Sequence, residues 1–239
     1  MMAAPVDGTC LSYASIVYDP AVAGDLNIEC FSLGEWQTNC YLLHRAGGKP
    51  CWLVDAGFDP QPMIEAVRRN NLEPQRLVLT HAHVDHIGGI AAVRAVWPDL
   101  PIAIHEAEVS FLSRPDQNLS LFLESPVIAP EADDVLHHGD ELELDGLVFE
   151  VRHTPGHSPG GITLVQADSH AALVGDALFH DSVGRVDFPT SDGPTLLKSI
   201  QEQLLSLPDE TRVLAGHGPE TTIGRERANN PFLNGPWPG

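Results

Sequence analysis

The chain has 239 residues, 43% of them hydrophobic and 19% charged, with 33 Asp and Glu against 13 Lys and Arg for a formal net charge of −20. That length and apolar share suffice for a packed core, and no low-complexity stretch marks disorder. Phosphate backbones and anionic membranes are bound through clustered Lys and Arg, so a strongly acidic chain with no basic run argues against nucleic acid and membrane surfaces and leaves small molecules as partners.

The leading residues Met1-Met2-Ala3-Ala4-Pro5-Val6-Asp7-Gly8 lack the basic-then-apolar order of a signal peptide. No run reaches the roughly 20 apolar residues of a membrane span. Cys10, Cys30, Cys40 and Cys51 match no zinc-knuckle or CxxC spacing. Without a secretion signal they read as reduced thiols, and the expected compartment is the cytoplasm.

In chain order, residues 1–25 read as a loose leading segment with a strand near 12–18. Short strands follow at 28–33, 40–44 and 51–54, with Gly34, Gly47 and Gly48 supplying the turns. Val54-Asp55-Ala56-Gly57 ends the third strand, residues 62–69 have helical spacing, and 76–80 is a short buried strand. A helix over 89–96 stops before Pro98. Residues 102–104 read as strand, 106–112 as helix, and 113–138 as a polar connection containing proline. Segments 141–144 and 147–152 pair as a hairpin, because Asp145-Gly146 tolerates the positive φ of such turns. Strands at 162–165 and 171–174, an amphipathic helix over 194–205, a strand at 212–214 and a closing helix over 222–229 complete the order. No linker divides it. The expectation is one domain, residues 1–239, with two strand-rich layers and helices outside them in an α/β sandwich.

The densest chemistry lies in Thr80-His81-Ala82-His83-Val84-Asp85-His86-Ile87-Gly88-Gly89, between the apolar runs 77–79 and 90–93. Neutral imidazole nitrogen and carboxylate oxygen are the ligands of a divalent transition metal such as zinc. Four of them so close are too many for one tetrahedral ion that keeps an open position, which suggests two metals side by side. The chain holds 12 histidines, yet an HxHxDH run framed by strand and helix signals is not a common accident. Three later segments offer further ligands at strand ends: His153-Thr154-Pro155-Gly156-His157-Ser158-Pro159-Gly160-Gly161, Gly175-Asp176 and Gly216-His217-Gly218. Glycines beside a ligand let the backbone turn sharply and bring the side chain to an ion. His44, His105, His137, His138, His170 and His180 have no partner motif and read as ordinary strand, helix or loop residues, with His180 the nearest to a candidate ligand.

This order of motifs resembles the metallo-β-lactamase superfamily over nearly the whole chain. The resemblance implies an αββα sandwich with a dinuclear site at one edge of its sheets. His81, His83 and His157 would hold one metal, Asp85, His86 and His217 the other, and Asp176 would bridge them. His157, in the TPGH element, is favoured over His153, and Asp55 would support the ligand turn from behind, orienting a ligating histidine. The implied cofactors are two divalent ions, zinc first, with iron or manganese also suited to these donors. Two such ions activate a shared water to hydroxide and polarise a carbonyl, with Asp85 orienting the nucleophile.

Within the superfamily, THAHVDHIGG, HTPGHSPGG, GDALFHDSVGRVDFP and LAGHGPETTIGRERANNPFL are similar to glyoxalase II (hydroxyacylglutathione hydrolase) and its short relatives. That similarity implies hydrolysis of a small acidic thioester. An aspartate at 176 argues against a β-lactamase, where cysteine or another residue usually stands. Glyoxalase II proper adds a C-terminal helical domain that grips glutathione, whereas this sequence ends about 20 residues after His217. Arg185 occupies the place of a glutathione-binding lysine, Asp187 replaces one tyrosine and Pro219 another. Arg185 therefore reads either as a substrate-carboxylate contact or as a brace paired with Asp187. Persulfide dioxygenases, with one iron on the equivalents of His81, His157 and Asp176, share most of these motifs, and a lactonase is the third alternative.

Overall fold

The computed structural model describes residues 16–17 and 25–235. The strands of the first sheet are β1 (Ile16–Val17), β2 (Leu26–Leu33), β3 (Thr38–Arg45), β4 (Pro50–Val54), β5 (Glu73–Val78), β6 (Ile102–His105) and β7 (Asp134–Leu136), hydrogen-bonded in that order. β1 to β4 run antiparallel and β4 to β7 parallel. Parallel neighbours need a crossover. Helix α1 (Gln61–Arg69) supplies the one from β4 to β5, and α2 (Val84–Ile87) with α3 (Ile90–Val96) the one from β5 to β6.

The second sheet holds β8 (Glu141–Leu144), β9 (Leu147–His153), β10 (Ile162–Gln166) and β11 (Ala171–Gly175) in antiparallel succession. A small hairpin of β12 (Leu178–Phe179) and β13 (Ser182–Val183) and the helix α4 (Gly193–Ser199) then lead to β14 (Arg212–Ala215), parallel to β11. The edge strand β15 (Thr221–Thr222) and helices α5 (Ile223–Asn229) and α6 (Pro231–Asn234) follow.

Alternation along the central strands divides the apolar side chains among three cores. On β3, Tyr41 and Leu43 face a core shared between the sheets, with Trp52, Val54, Phe149, Val151, Leu164 and Leu173. Cys40 and Leu42 point the other way, toward Met63, Ile64 and Val67 of α1 and Ile90 and Val93 of α3. The outer face of the second sheet packs Val165, Ala172 and Val174 against Leu196, Ile200 and Leu204. Each fully buried Leu, Ile, Val or Met contributes roughly 1.5–3 kcal/mol. A one-residue slip of β3 would exchange its two faces, so both cores fix its register. The order helix, sheet, sheet, helix is the expected αββα sandwich.

Local differences from the sequence reading have visible causes. The expected strand at 12–18 is described only at Ile16–Val17, where it pairs with β2; its remaining residues, and Cys10, lie outside the described residues. Residues 106–112 form a 3-10 segment, Glu106–Ser113, rather than an α-helix. The helix expected over 194–205 begins one residue earlier, behind an Asp192 cap, and loosens into a π turn at Ile200–Leu204. β7 falls inside the connection read as irregular, and the β12–β13 hairpin lies where no strand was expected. Cys30, Cys40 and Cys51 form no disulfide. No helix among the described residues is long and apolar enough to cross a membrane.

Candidate metal centre

All the candidate ligands gather where strands end. The chain leaves β5 into Thr80 and His81, leaves β11 into Asp176, leaves β14 into His217, and reaches His157 in the connection from β9 to β10. Ligands in α/β folds commonly bind outside the carboxyl ends of strands. The HxHxDH run is more than a turn: its second half is the short helix α2, which sets Asp85 and His86 on adjacent positions of one helical turn. Gly216 is needed for close approach, since a Cβ there would collide with Asp176 Oδ1 and crowd His86 Cε1.

Hydrogen bonds at the backs of the rings fix which nitrogen faces inward. Asp55 is buried, with φ of 60°, a left-handed conformation that Asp tolerates better than most residues. Its Oδ1 accepts the Thr80 N–H at 2.7 Å, and its Oδ2 lies 2.8 Å from both the Thr80 hydroxyl and His86 Nδ1. With the Thr80 hydroxyl donating to Asp55, its oxygen is left to accept from His81 Nδ1 at 3.2 Å. His157 Nδ1 faces the Arg185 carbonyl at 2.9 Å. The Nε2 atoms of His81, His86 and His157 therefore point into the cluster.

Inside, three overlapping groups each bring their donor atoms within 4.8 Å of one another: His81, His83 and His157; His81, His86 and Asp176; and Asp85, His86 and His217. His83 Nδ1 lies 2.9 Å from His157 Nε2, and His217 Nε2 lies 3.0 Å from Asp85 Oδ2, which also accepts from the Thr38 hydroxyl. Asp176 sits between the groups, Oδ1 at 3.4 Å from His86 Nε2 and Oδ2 at 3.5 and 3.6 Å from His157 and His217 Nε2. Nε2 of His81, His83 and His86 and Oδ1 of Asp176 are buried without a hydrogen-bond partner. Buried polar atoms left without partners are costly. His81, His86 and Asp176 bring such atoms together in one of the three groups, and donors of that type fit divalent cations.

The charge states divide the histidines into two sets. Burial, reinforced by neighbouring imidazoles, pushes His81 well below the ordinary histidine range and His83 down to about 3; burial also lowers His157. Burial opposes protonation of His86 too, but Asp85, Asp55 and Asp176 outweigh it and hold its pKa well above normal. At His217 burial is likewise outweighed, by the hydrogen bond to Asp85 and the charge of Asp176. Asp85 and Asp176 are held below the usual carboxylate range, burial being overcome by the positive side of His86 first.

A cleft of about 410 Å³ opens over the cluster, with His83, Asp85, His157, Asp176 and His217 at its floor. Trp36, Val84, Leu119, Phe179 and Phe188 make its walls apolar, and among the described residues Arg185 is the only Lys or Arg that lines it. The Arg185 guanidinium makes a bidentate pair with Asp187, at 2.9 and 2.8 Å, and lies 4.6 Å from the centre of the Phe188 ring. His153 lies apart from the cluster: it stacks on His105 at 3.9 Å, with Nε2 2.9 Å from the Pro159 carbonyl. His44, His105, His137, His138, His170 and His180 belong to none of the three groups among the described residues. His180 instead pairs with Asp181 at 3.3 Å.

Sequence reasoning missed the residues that hold the second-half candidate ligands. Asn39 Nδ2 donates to the carbonyls of Ala215 and Gly218, and the Tyr41 hydroxyl to that of Ala215, so β3 grips the His217 turn. The Ser191 hydroxyl donates to the His157 carbonyl. Buried Glu108 reaches both the 80–86 turn and the 154–161 loop. A buried Asn or Glu in an apolar stretch is a weak signal in a single sequence. Its partners are not legible there.

Fold and site together define an αββα protein with a histidine–aspartate cluster suited to divalent cations. A family profile described as the metallo-beta-lactamase superfamily matches residues 33–217. Among curated proteins, the probable metallo-hydrolase YqgX of Bacillus subtilis is 38% identical over 204 residues, covering 85% of this chain and 95% of that protein. The hydroxyacylglutathione hydrolase GloC of Haemophilus influenzae is 34% identical over 221 residues, covering 87% and 99%. Among solved structures, the BLEG-1 B3 metallo-β-lactamase superposes with a TM-score of 0.82 at 39% identity, covering 87% of this chain and all of that one. TTHA1623 in a di-iron-bound form gives 0.76 at 36% identity, covering 85% and 99%. The chain belongs to the metallo-β-lactamase superfamily.

Proposed function

We propose that the chain is a metal-dependent hydrolase cleaving a small acidic thioester, as hydroxyacylglutathione hydrolases do, with two divalent cations in the cluster. The observation that carries this reading is the pair of triads, His81, His83, His157 and Asp85, His86, His217, with Asp176 between them. A single tetrahedral ion that keeps an open position has no use for seven such donors. When bound, the two cations would supply an acidified water and positive charge for the substrate carbonyl. Zinc, iron and manganese all suit these donors, and a di-iron form of TTHA1623 is a precedent for iron.

The chain's own residues define the rest. Asp176, which lies between the two triads, would help to hold both ions. Asp85 lines the cleft floor, where it would ligate one ion and orient the attacking water. Trp36, Leu119, Phe179 and Phe188 exclude solvent from the acyl group, which strengthens the electrostatic interactions beneath it. Arg185, which lines the cleft and pairs with Asp187, would meet a carboxylate of the leaving thiol once Asp187 releases it. Similarity to GloC over nearly its whole length supports the thioester class.

The test is a substrate panel on metal-loaded protein: S-lactoylglutathione, a simple aliphatic lactone, a cephalosporin, and glutathione persulfide with oxygen uptake recorded. Turnover of the thioester well above the others is expected. Preference for the lactone or cephalosporin would move the reading to a lactonase or lactamase. Oxygen uptake with the persulfide, on one iron, would move it to a dioxygenase.

A further inference from the structure

A buried carboxylate that belongs to neither ligand segment joins the two. Glu108, fully buried in the Glu106–Ser113 segment, accepts the Ala82 N–H through Oε2 at 2.5 Å and the Gly160 N–H through Oε1 at 2.7 Å. Ala82 stands between His81 and His83, and Gly160 follows His157 by three positions. We propose that Glu108 is a positioning residue that sets the spacing of His81 and His83 against His157, and so the affinity and geometry of the cation those three would hold. The inference rests on the ligand reading above but not on the substrate.

Three observations carry it. First, a carboxylate in a fully buried position is expensive, and burial does push the Glu108 carboxyl upward. A leucine or methionine would fill the space at lower cost, so the charge is better explained by what it holds. Second, an ionised carboxylate is an acceptor at both ends, and both ends here meet backbone N–H groups of irregular segments. A glutamine of the same shape has one donor end and would face one of those groups with its own N–H. Third, the contact is built from both sides. A Cβ at position 160 would lie 2.8 Å from Glu108 Cγ, so the glycine is what lets the loop come down onto the carboxylate. His105, which precedes the segment, accepts the Ala107 N–H through its ring and stacks on His153 at the start of the same loop.

The experiment is a cobalt(II) titration of metal-free wild type and Glu108→Gln, with affinity measured by chelator competition and ligand geometry by the visible absorption bands. The expected result is a glutamine variant with native far-ultraviolet dichroism, cobalt affinity reduced on the order of 10- to 100-fold, as for other residues that orient ligands, and altered bands. Wild-type affinity and bands in a folded Glu108→Gln would overturn the proposal. Should that variant not fold, amide hydrogen exchange of the wild type decides: strong protection of Ala82 and Gly160 supports the bridge, and free exchange at either refutes it. Failure of the wild type to take up cobalt would count against the ligand reading instead.

Discussion

The two halves of the sandwich run the same strand pattern and contribute to the cluster in opposite ways. In the first, antiparallel β2 to β4 give way to parallel β5 and β6, and four candidate ligands leave one strand end within six positions. In the second, antiparallel β8 to β11 give way to parallel β14, and His157, Asp176 and His217 come from three separate connections. Chain connectivity and a short helix present the first set. Asp55 and Glu108 brace that set as well, but the second depends wholly on contacts across the molecule, Asn39 and Tyr41 on the His217 turn and Glu108 on the 154–161 loop. A local segment can carry a motif. A distributed one needs the fold.

The sharpest break removes the residue between the two sets. Asp176→Ala should lose bound metal and cut activity by more than the roughly 100-fold that merely orienting residues cost, as metal analysis beside a rate assay will show; retention of both ions would contradict the bridging role. Comparable loss is expected for His157→Ala, whereas His153→Ala removes only a stacking partner and one contact to Pro159 and should cost far less. The reverse ranking would mean that the wrong histidine had been placed in the cluster.

Asp55→Asn sharpens the contrast from the first half. Asparagine tolerates the positive φ, but it cannot keep two acceptor oxygens toward Thr80 and His86, and an activity loss on the order of 10- to 100-fold is expected.

Protons distinguish the triads as well. His81, His83 and His157 are lowered below the ordinary histidine range, so a cation at their triad displaces few ring protons and its affinity depends less on pH. His86 is held well above normal and His217 is raised, so a cation at their triad displaces more ring protons and loses affinity more steeply as pH falls. Calorimetric titration in buffers of different ionisation heats reads both directly; equal proton release at the two triads would refute the division. The smallest effect is expected at the exposed mouth, where Arg185→Ala should raise KM for an acidic thioester and leave kcat unchanged. A lower melting temperature with unaltered kinetics would instead make the Asp187 pair a brace.

The same contrast explains what was legible in the sequence. The αββα order followed from strand and helix periodicity joined to the family resemblance, because β3, β4, β10 and β11 are buried on both faces and read as apolar runs. All seven cluster residues stood in recognisable motifs. Of their supports only Asp55 did: Asn39, Tyr41 and Glu108 act on partners 26 to 179 positions away, and no local pattern encodes such a distance. The 3-10 form of residues 106–113 was hidden because helical periodicity there does not distinguish the two helix types.

Metal content per chain, measured on purified protein and again after stripping and reconstitution, tests the central claim most directly. Two divalent ions per chain, with the second lost selectively on His217→Ala, is the predicted result. One ion per chain, with no second taken up from excess zinc, iron or manganese, would contradict the dinuclear account.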